Sequence, residues 1–170
     1  NDIDTDLEIE LPKVDSERLA LAVNETLHLL QDQGNAVAAA GVMALRRGLQ
    51  KDILEFCETF GIPLATTSLS KGTITERHPL SIGVYMGAVS PKKVVEKVES
   101  AKPLITFGAP YADLLMGGFT DHINVANLIE CTDTYVRIGY RTYEHVPLWA
   151  FLPALIKAAK KNDYHENGQG

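Results

Sequence analysis

The feature that most constrains the fold is a set of short, almost wholly apolar runs that alternate with helical patterns. The clearest are residues 36–40 (AVAAA), 62–66 (IPLAT) and 104–107 (LITF). Runs of this length, bordered by glycine or proline, predict strands that are covered on both faces. Helices alternating with such strands predict an α/β fold, in which a doubly wound sheet of about six mostly parallel strands carries helices on both faces.

Apolar residues recur every three or four positions before, between and after these runs, which predicts four helices. Their predicted starts are Asp15 or Ser16 as a cap, residue 49, Ser90-Pro91 as a cap and first turn, and Pro147. Pro153 predicts either a kink in the last helix or a later start of its regular part. Further strands are predicted at residues 127–131 and 134–140, and residues 7–11 (LEIEL) alternate like a half-exposed strand.

Composition narrows the class of protein. The 170 residues suffice for one domain with a core, and 45% of them are hydrophobic. A formal net charge of −6 argues against a nucleic-acid partner, and no apolar run approaches the length of a bilayer span. Cys57 and Cys131 lack metal-ligand spacing and are predicted to be small buried thiols. We therefore expect a reduced, cytoplasmic protein.

Glycine-rich and catalytic motifs are scarce. The first apolar run leads into AGVMALRRG, which is not the dinucleotide fingerprint GxGxxG. The sequence has no Walker lysine motif, no HExxH, no Cys/His cluster and no GxSxG. The stretch 61–87 runs from a strand end into a loop rich in Ser, Thr, Gly and Lys. Such a loop is typical of a ligand crevice in an open α/β sheet, and the alternative is a plain connection between two buried layers.

Three residues are candidates for an effector site or a domain contact. Arg46, with Arg47, follows the first buried strand and could meet an anion at the carboxyl edge of the sheet; the alternative is a solvated pair that caps a helix. Asp113 follows the third buried strand and is predicted at the same edge. His78, in the loop of the stretch 61–87, is either a catalytic residue or a structural histidine that caps a turn.

Read as a whole, the sequence resembles the central domain of thiamine-diphosphate-dependent 2-oxo acid decarboxylases, in the pyruvate, indolepyruvate and phenylpyruvate decarboxylase branch. The resemblance extends from about residue 7 to residue 157. It rests on residues 65–67 (ATT), 70–79 (SKGTITERHP), 83–87 (GVYMG), 98–101 (VESA), 107–109 (FGA), Asp113, Gly117, Phe119, 136–139 (VRIG) and 142–143 (TY).

The resemblance implies a Rossmann-like domain of the NAD/FAD-binding type known from deoxyhypusine synthase (DHS-like) that in this branch has lost its ligand. It also implies a parent enzyme, a lyase that uses thiamine diphosphate and Mg²⁺ and assembles as a homodimer or homotetramer. The family's Gly-Asp-Gly motif is absent from this sequence. The family's cofactor-activating glutamate belongs to another domain, and Glu76 is not that residue. No catalytic, cofactor-binding or metal-binding residue is therefore assigned to this chain.

By position, Arg46 and Asp113 match residues implicated in an activator site of some members. Met43 and Ala44 stand in the region where certain members use a cysteine, and Leu115 stands where an Asn often follows the Asp. The implied organisation is a lead-in or exit peptide from the pyrimidine domain at 1–14, the central domain at 15–159, and a linker tail toward the diphosphate domain at 160–170.

Three functions compete at this point. The chain is a scaffold or regulatory domain of a decarboxylase that is inactive alone, or an autonomous nucleotide- or FAD-binding module, or a purely structural domain with an exposed apolar face.

Overall fold

A computed structural model describes residues 12–32, 34–67, 77–85, 90–109 and 123–162. Within these ranges the helices are α1 (Ser16–Asp32), α2 (Val42–Arg46), α3 (Gln50–Phe60), α4 (Lys92–Glu99) and α5 (Leu148–Lys161). The strands are β1 (Val37–Ala40), β2 (Leu64–Thr67), β3 (Ser81–Tyr85), β4 (Leu104–Phe107), β5 (Leu128–Cys131), β6 (Tyr135–Ile138) and β7 (Arg141–Glu144). A 3-10 turn, Val125–Asn127, precedes β5.

The sheet confirms the predicted fold class. Its strand order is β3-β2-β1-β4-β5-β6-β7. The first five of these strands are parallel, and β6 and β7 add an antiparallel hairpin at one side. The described sheet thus has seven strands where about six were predicted. The predicted strand 134–140 ends at Ile138, because Gly139, at φ 58°, turns the chain into β7.

The observed helix boundaries decide between the helix starts that were predicted from the sequence. Asp15 caps α1, since its Oδ1 accepts hydrogen bonds from the backbone N–H groups of Glu17 (3.1 Å) and Arg18 (3.0 Å). The expected cap at Ser90 is wrong: Pro91 occupies the N-cap of α4, and its side chain has no oxygen to accept a hydrogen bond. The later start of the last helix is also wrong, because α5 begins at Leu148 and runs through Pro153.

The two faces of the sheet carry separate cores. On the first face α1 and α3 both pack against α5. On the second face Val94 and Val98 of α4 pack on the sheet. Strand residues alternate between the faces. Those on the first face include Ala38, Ala40, Leu64, Ile105, Phe107, Ile129, Cys131, Val136 and Ile138; those on the second include Val37, Ala39, Ala65, Leu104 and Leu128.

The described chain enters the fold at the carboxyl edge, where β1, β4 and β5 end. The Asp15 N–H, just before α1, donates to the carbonyl of His145 (2.9 Å), which follows β7. The start of α5 is tied to the same edge, since the Leu148 N–H donates to the Thr132 carbonyl (2.7 Å). From there α5 runs toward the opposite, amino edge. None of the described helices combines the length and apolar character needed to cross a membrane.

Candidate functional site

The strand order reverses between β1 and β4, and this reversal defines the crevice where doubly wound sheets bind their ligands. Gly41 follows β1 and Gly108 follows β4. The Gly41 N–H donates to the Phe107 carbonyl (2.8 Å), and the Met43 N–H, at the start of α2, donates to the Gly108 carbonyl (3.2 Å). The two turns are therefore hydrogen-bonded to each other across the crevice.

Packing between these turns leaves no room for a side chain at either glycine. A Cβ on Gly41 would lie 2.4 Å from the Gly108 carbonyl oxygen and 2.5 Å from the Ala109 Cβ. A Cβ on Gly108, which has φ +67°, would lie 2.3 Å from the Ala44 nitrogen. A bound dinucleotide needs this space for its pyrophosphate, and needs free amide groups at the helix start. The two described turns at this crevice therefore do not fit such a cofactor.

The two adjacent arginines at this edge have different surroundings. Arg47 forms a two-pronged ion pair with Asp133, with Nε to Oδ1 at 3.2 Å and Nη2 to Oδ2 at 3.1 Å. Asp133 lies in the turn after β5, so the pair joins two turns of the carboxyl edge. Arg46 ends α2 and is exposed, and its side chain makes no hydrogen bond or ion pair to the described residues.

Asp133 was not singled out from the sequence, although it stands two positions past a buried strand. Its turn is firmly held: the Thr132 hydroxyl oxygen accepts hydrogen bonds from the N–H groups of Thr134 (3.3 Å) and Tyr135 (3.1 Å). The Gly108 N–H also donates to the Cys131 carbonyl (2.9 Å). Three turns, after β1, β4 and β5, thus form one connected group.

His78 lies at the other end of the sheet. It precedes β3, at the amino edge, so the structure does not bring it near Arg46. Its Nδ1 accepts the Leu80 N–H (3.2 Å), which assigns the ring proton to Nε2, and Nε2 lies 2.8 Å from Oε1 of Glu58 on α3. The Nδ1 bond holds the ring within the connection before β3, and the Nε2 contact attaches this connection to α3.

Asp113 lies outside the described residues, as do residues 68–76 and 86–87 of the stretch 61–87 and the predicted strand at 7–11. A small pocket is present at the amino edge. Its lining includes Leu29, Pro103, Leu128 and Ile138, which are mainly apolar. The pocket is therefore at the opposite end of the sheet from the crevice and from Arg46.

The two cysteines are buried and have no nucleophilic character. Burial, with a smaller contribution from Glu58, raises the pKa of Cys57 to about 12. Burial and the charge of Glu130 raise the pKa of Cys131 well above its usual value. Their burial was expected from the sequence. Both thiols therefore stay protonated near neutral pH, and neither is a candidate nucleophile.

A polar cluster on the second face was not predicted either. Glu130 of β5 is 2% exposed; Tyr135 donates its hydroxyl proton to Oε1 of this carboxylate (2.6 Å), and Arg137 Nη2 lies 3.9 Å from its Oε2. Burial and this hydrogen bond raise the pKa of Tyr135 to about 12. In the sequence, Glu130 is the single acidic residue of the otherwise apolar strand 128–131. Nothing else in the sequence indicated that its carboxylate would be buried.

Comparison with known proteins decides the family. The pattern described as "Thiamine pyrophosphate enzyme, central domain" matches residues 23–159. The chain belongs to this family. Pyruvate decarboxylase isozyme 2 of Saccharomyces cerevisiae is 28% identical over 92% of this chain and 28% of that protein. The pyruvate decarboxylase of Aspergillus terreus is 30% identical over 91% of this chain and 27% of that protein.

A solved structure supports the fold of this central domain. The X-ray structure of a protein described as a thiamin diphosphate-dependent enzyme, isolated from Mycobacterium smegmatis, matches 85% of this chain and 28% of that one. The TM-score is 0.56 at 20% sequence identity. The chain therefore spans just over a quarter of the length of the proteins it matches. The resemblance stated from the sequence is confirmed.

Proposed function

We propose that this chain is the central domain of a thiamine-diphosphate-dependent, non-oxidative 2-oxo acid decarboxylase. It shapes and positions neighbouring domains and has no activity alone. The family and the pyruvate decarboxylase relatives support the parent activity. The observation that carries the scaffold role is the crevice between β1 and β4, which is filled by the Gly108 turn. The main site at which this fold class binds a ligand is thereby used for internal contacts.

The alternative is a nucleotide- or FAD-binding module of a related thiamine enzyme. A module of that kind needs an open turn after β1, whereas the Met43 N–H here already donates to Gly108. In the proposed parent, thiamine diphosphate and Mg²⁺ are held by the pyrimidine and diphosphate domains. The domain limits proposed are 15–159, with 1–14 and 160–170 as connections, in a cytoplasmic homodimer or homotetramer.

For the candidate residues we propose unequal roles. Arg46 is the candidate for a domain contact or an acidic effector, because its guanidinium is exposed at the carboxyl edge and makes no contact with a described carboxylate. Asp113 is kept as a partner candidate from its sequence position alone. His78 has a structural role, which its two hydrogen bonds support.

The purely structural alternative requires a large exposed apolar face. Among the described residues, the large hydrophobic side chains with high exposure are Leu21 and Tyr140, at 53% and 82%. Leu21 lies on α1 and Tyr140 in the β6–β7 turn, and single exposed apolar residues of this kind are ordinary. The described surface thus gives this alternative little support.

Two measurements on the purified 170-residue chain test the proposal. With thiamine diphosphate, Mg²⁺ and a panel of 2-oxo acids, we expect no release of carbon dioxide; release would contradict inactivity of the domain alone. With FAD, ADP or NAD, we expect no rise in the thermal unfolding temperature. A clear rise for any of them would favour the nucleotide-binding module.

Sequencing the gene on both sides of this segment tests the parent enzyme. We expect the cofactor-activating glutamate upstream and the Gly-Asp-Gly motif downstream. If neither is present, the chain is not part of a thiamine-dependent decarboxylase.

A further inference from the structure

We propose that His78 is a pH-sensitive switch at the amino edge of the sheet, where a proton bound to its Nδ1 releases the Leu80 amide and loosens the start of β3. The neutral ring makes two contacts of different kinds. Its Nδ1 accepts the Leu80 N–H (3.2 Å), and its Nε2 lies 2.8 Å from Oε1 of Glu58 on α3. One nitrogen of a neutral imidazole accepts a hydrogen bond, whereas both nitrogens of the charged ring donate.

Protonation of the ring therefore affects the two contacts unequally. In the charged form Nδ1 carries a hydrogen that faces the Leu80 N–H, so two donors meet and this hydrogen bond is lost. The Nε2–H still donates to the Glu58 carboxylate, and this contact becomes an ion pair. The charged ring thus stays attached to α3 and no longer holds the connection before β3.

The charged groups around this ring belong to three elements. On α3, Glu58 contacts Nε2, and Glu55, one turn earlier, is paired with Lys160 of α5. In the connection itself, Arg77 precedes the ring and is exposed. The His78 side chain is 20% exposed and that of Glu58 is 59% exposed, so protons from the solvent reach both groups.

The turn that contains His78 sets the start of β3. The Ser81 N–H donates to the His78 carbonyl (2.9 Å), and the Leu64 N–H, at the start of β2, donates to the Leu80 carbonyl (2.8 Å). Pro79 occupies the second position of this turn, which proline favours. Within the described sheet β3 is an edge strand with β2 as its neighbour. Loss of the Leu80 hydrogen bond therefore weakens the turn that leads into a strand paired on one side.

The test is amide hydrogen exchange, followed by NMR on the 170-residue chain at pH 8 and pH 5, a range over which histidine is the side chain that usually titrates. Each rate is expressed as a protection factor relative to an unstructured peptide at the same pH. We expect the protection of the Leu80 amide to fall about fivefold at pH 5, the size expected for the loss of one hydrogen bond. Protection of the amides in β1 and β4 should not change.

Two substitutions imitate the two states of the ring. His78→Asn places an amide oxygen near the position of Nδ1, so the Leu80 amide should stay protected at both pH values. His78→Gln places its amide near the position of Nε2, so the Leu80 amide should be about fivefold less protected at both pH values. His28→Asn, at an exposed position on α1, is the matched control and should respond to pH like the unsubstituted chain.

A fall in Leu80 protection that persists in His78→Asn would overturn the switch, because asparagine has no proton to take up in this range. Equal protection of the Leu80 amide at both pH values in the unsubstituted chain would overturn it as well. A fall of the same size in β1 and β4 would also do so, since it would reflect the stability of the whole domain. Because no activity is measured, these outcomes are independent of the proposed parent enzyme.

Discussion

The two faces of one sheet differ in what their side chains do. On the first face, β4 presents Ile105 and Phe107 to a layer of three helices, and Phe107 meets Phe56 edge to face at 5.1 Å between ring centroids. On the second face the same strand presents Thr106, beside Glu130 of β5, which in turn lies opposite Arg137 of β6. Within the smaller second-face core, β4 and β5 thus contribute the buried polar residues Thr106 and Glu130, and the Arg137 side chain beside them, which completes this polar row, is 27% exposed.

The difference indicates that the two faces contribute differently to folding. Burial of large apolar side chains provides most of the folding free energy, and it is concentrated on the first face. A buried ion pair contributes little net stability but is costly to break on one side. We infer that the first face stabilises the domain, while the row on the second face mainly fixes how the β5–β6 hairpin pairs.

Truncation of Phe107 should give the largest effect. Phe107→Ala leaves a cavity beside Phe56 and should lower the free energy of unfolding by about 3–5 kcal/mol. Val94→Ala, on the second face, removes two methyl groups and should cost about 1–2 kcal/mol. Urea unfolding of both variants measures the difference. Equal losses would contradict the unequal division between the faces.

Neutralising the buried carboxylate should be the next largest change. Glu130→Gln keeps the side-chain volume but removes the charge that Arg137 and Tyr135 contact, and should cost about 2–3 kcal/mol. Glu144→Gln, on the exposed side of β7, is the matched control and should stay within about 0.5 kcal/mol of the unsubstituted chain. If the two substitutions cost the same, the second-face row has no special role.

Tyr135 links the same row to pH. Burial raises its pKa from 10.0 to about 12 in the folded chain. The folded state therefore keeps the phenol proton that the unfolded state loses. The stability from this group is complete below pH 10 and is lost as the pH rises to about 12. Tyr135→Phe should be less stable than the unsubstituted chain by about 1 kcal/mol at pH 8, and the gap should close by pH 12. If the difference in the free energy of unfolding does not change with pH, the Tyr135 phenol does not lose its proton in the way its raised pKa requires.

The smallest expected effect has the opposite sign. The Thr106 hydroxyl is fully buried and makes no hydrogen bond to the described residues, so Thr106→Val, which has nearly the same shape, should gain about 1 kcal/mol. Thr132→Val is the contrasting variant, because its hydroxyl holds the turn after β5, and it should lose about 1–2 kcal/mol. A loss at Thr106 would mean that its hydroxyl contributes to the polar row.

Periodicity in the sequence was enough to predict the long helices and the buried strands. Leucine and phenylalanine spacing located α1 and α3, and Gly61 correctly ended α3 in a left-handed turn at φ 66°. The five residues of α2 are too few to repeat an apolar pattern. β7 was not predicted. It is an edge strand with a single buried residue, Tyr143, so residues 141–144 (RTYE) lack the apolar alternation of a half-buried strand.

Contacts at the candidate site were beyond local patterns. Arg47 and Asp133 are 86 positions apart, and Glu58 and His78 are 20 apart, so no spacing rule pairs them. The closed crevice did leave a signal: a glycine stands directly after two of the short apolar runs, at Gly41 and Gly108. Parallel strands end at one edge, so these glycines were candidates for close contact between turns. The partner proposed for Arg46 is another domain or an acidic effector, so no pattern within this sequence could identify it.

The path of the chain through the domain has a mechanical consequence. α1 begins at one edge of the sheet, and α5 starts at that edge but runs away from it for 14 residues, a length of about 21 Å. The start of α1 and the end of α5 therefore lie at opposite edges of the sheet. A substitution that leaves both helices and the sheet intact therefore keeps these two points apart.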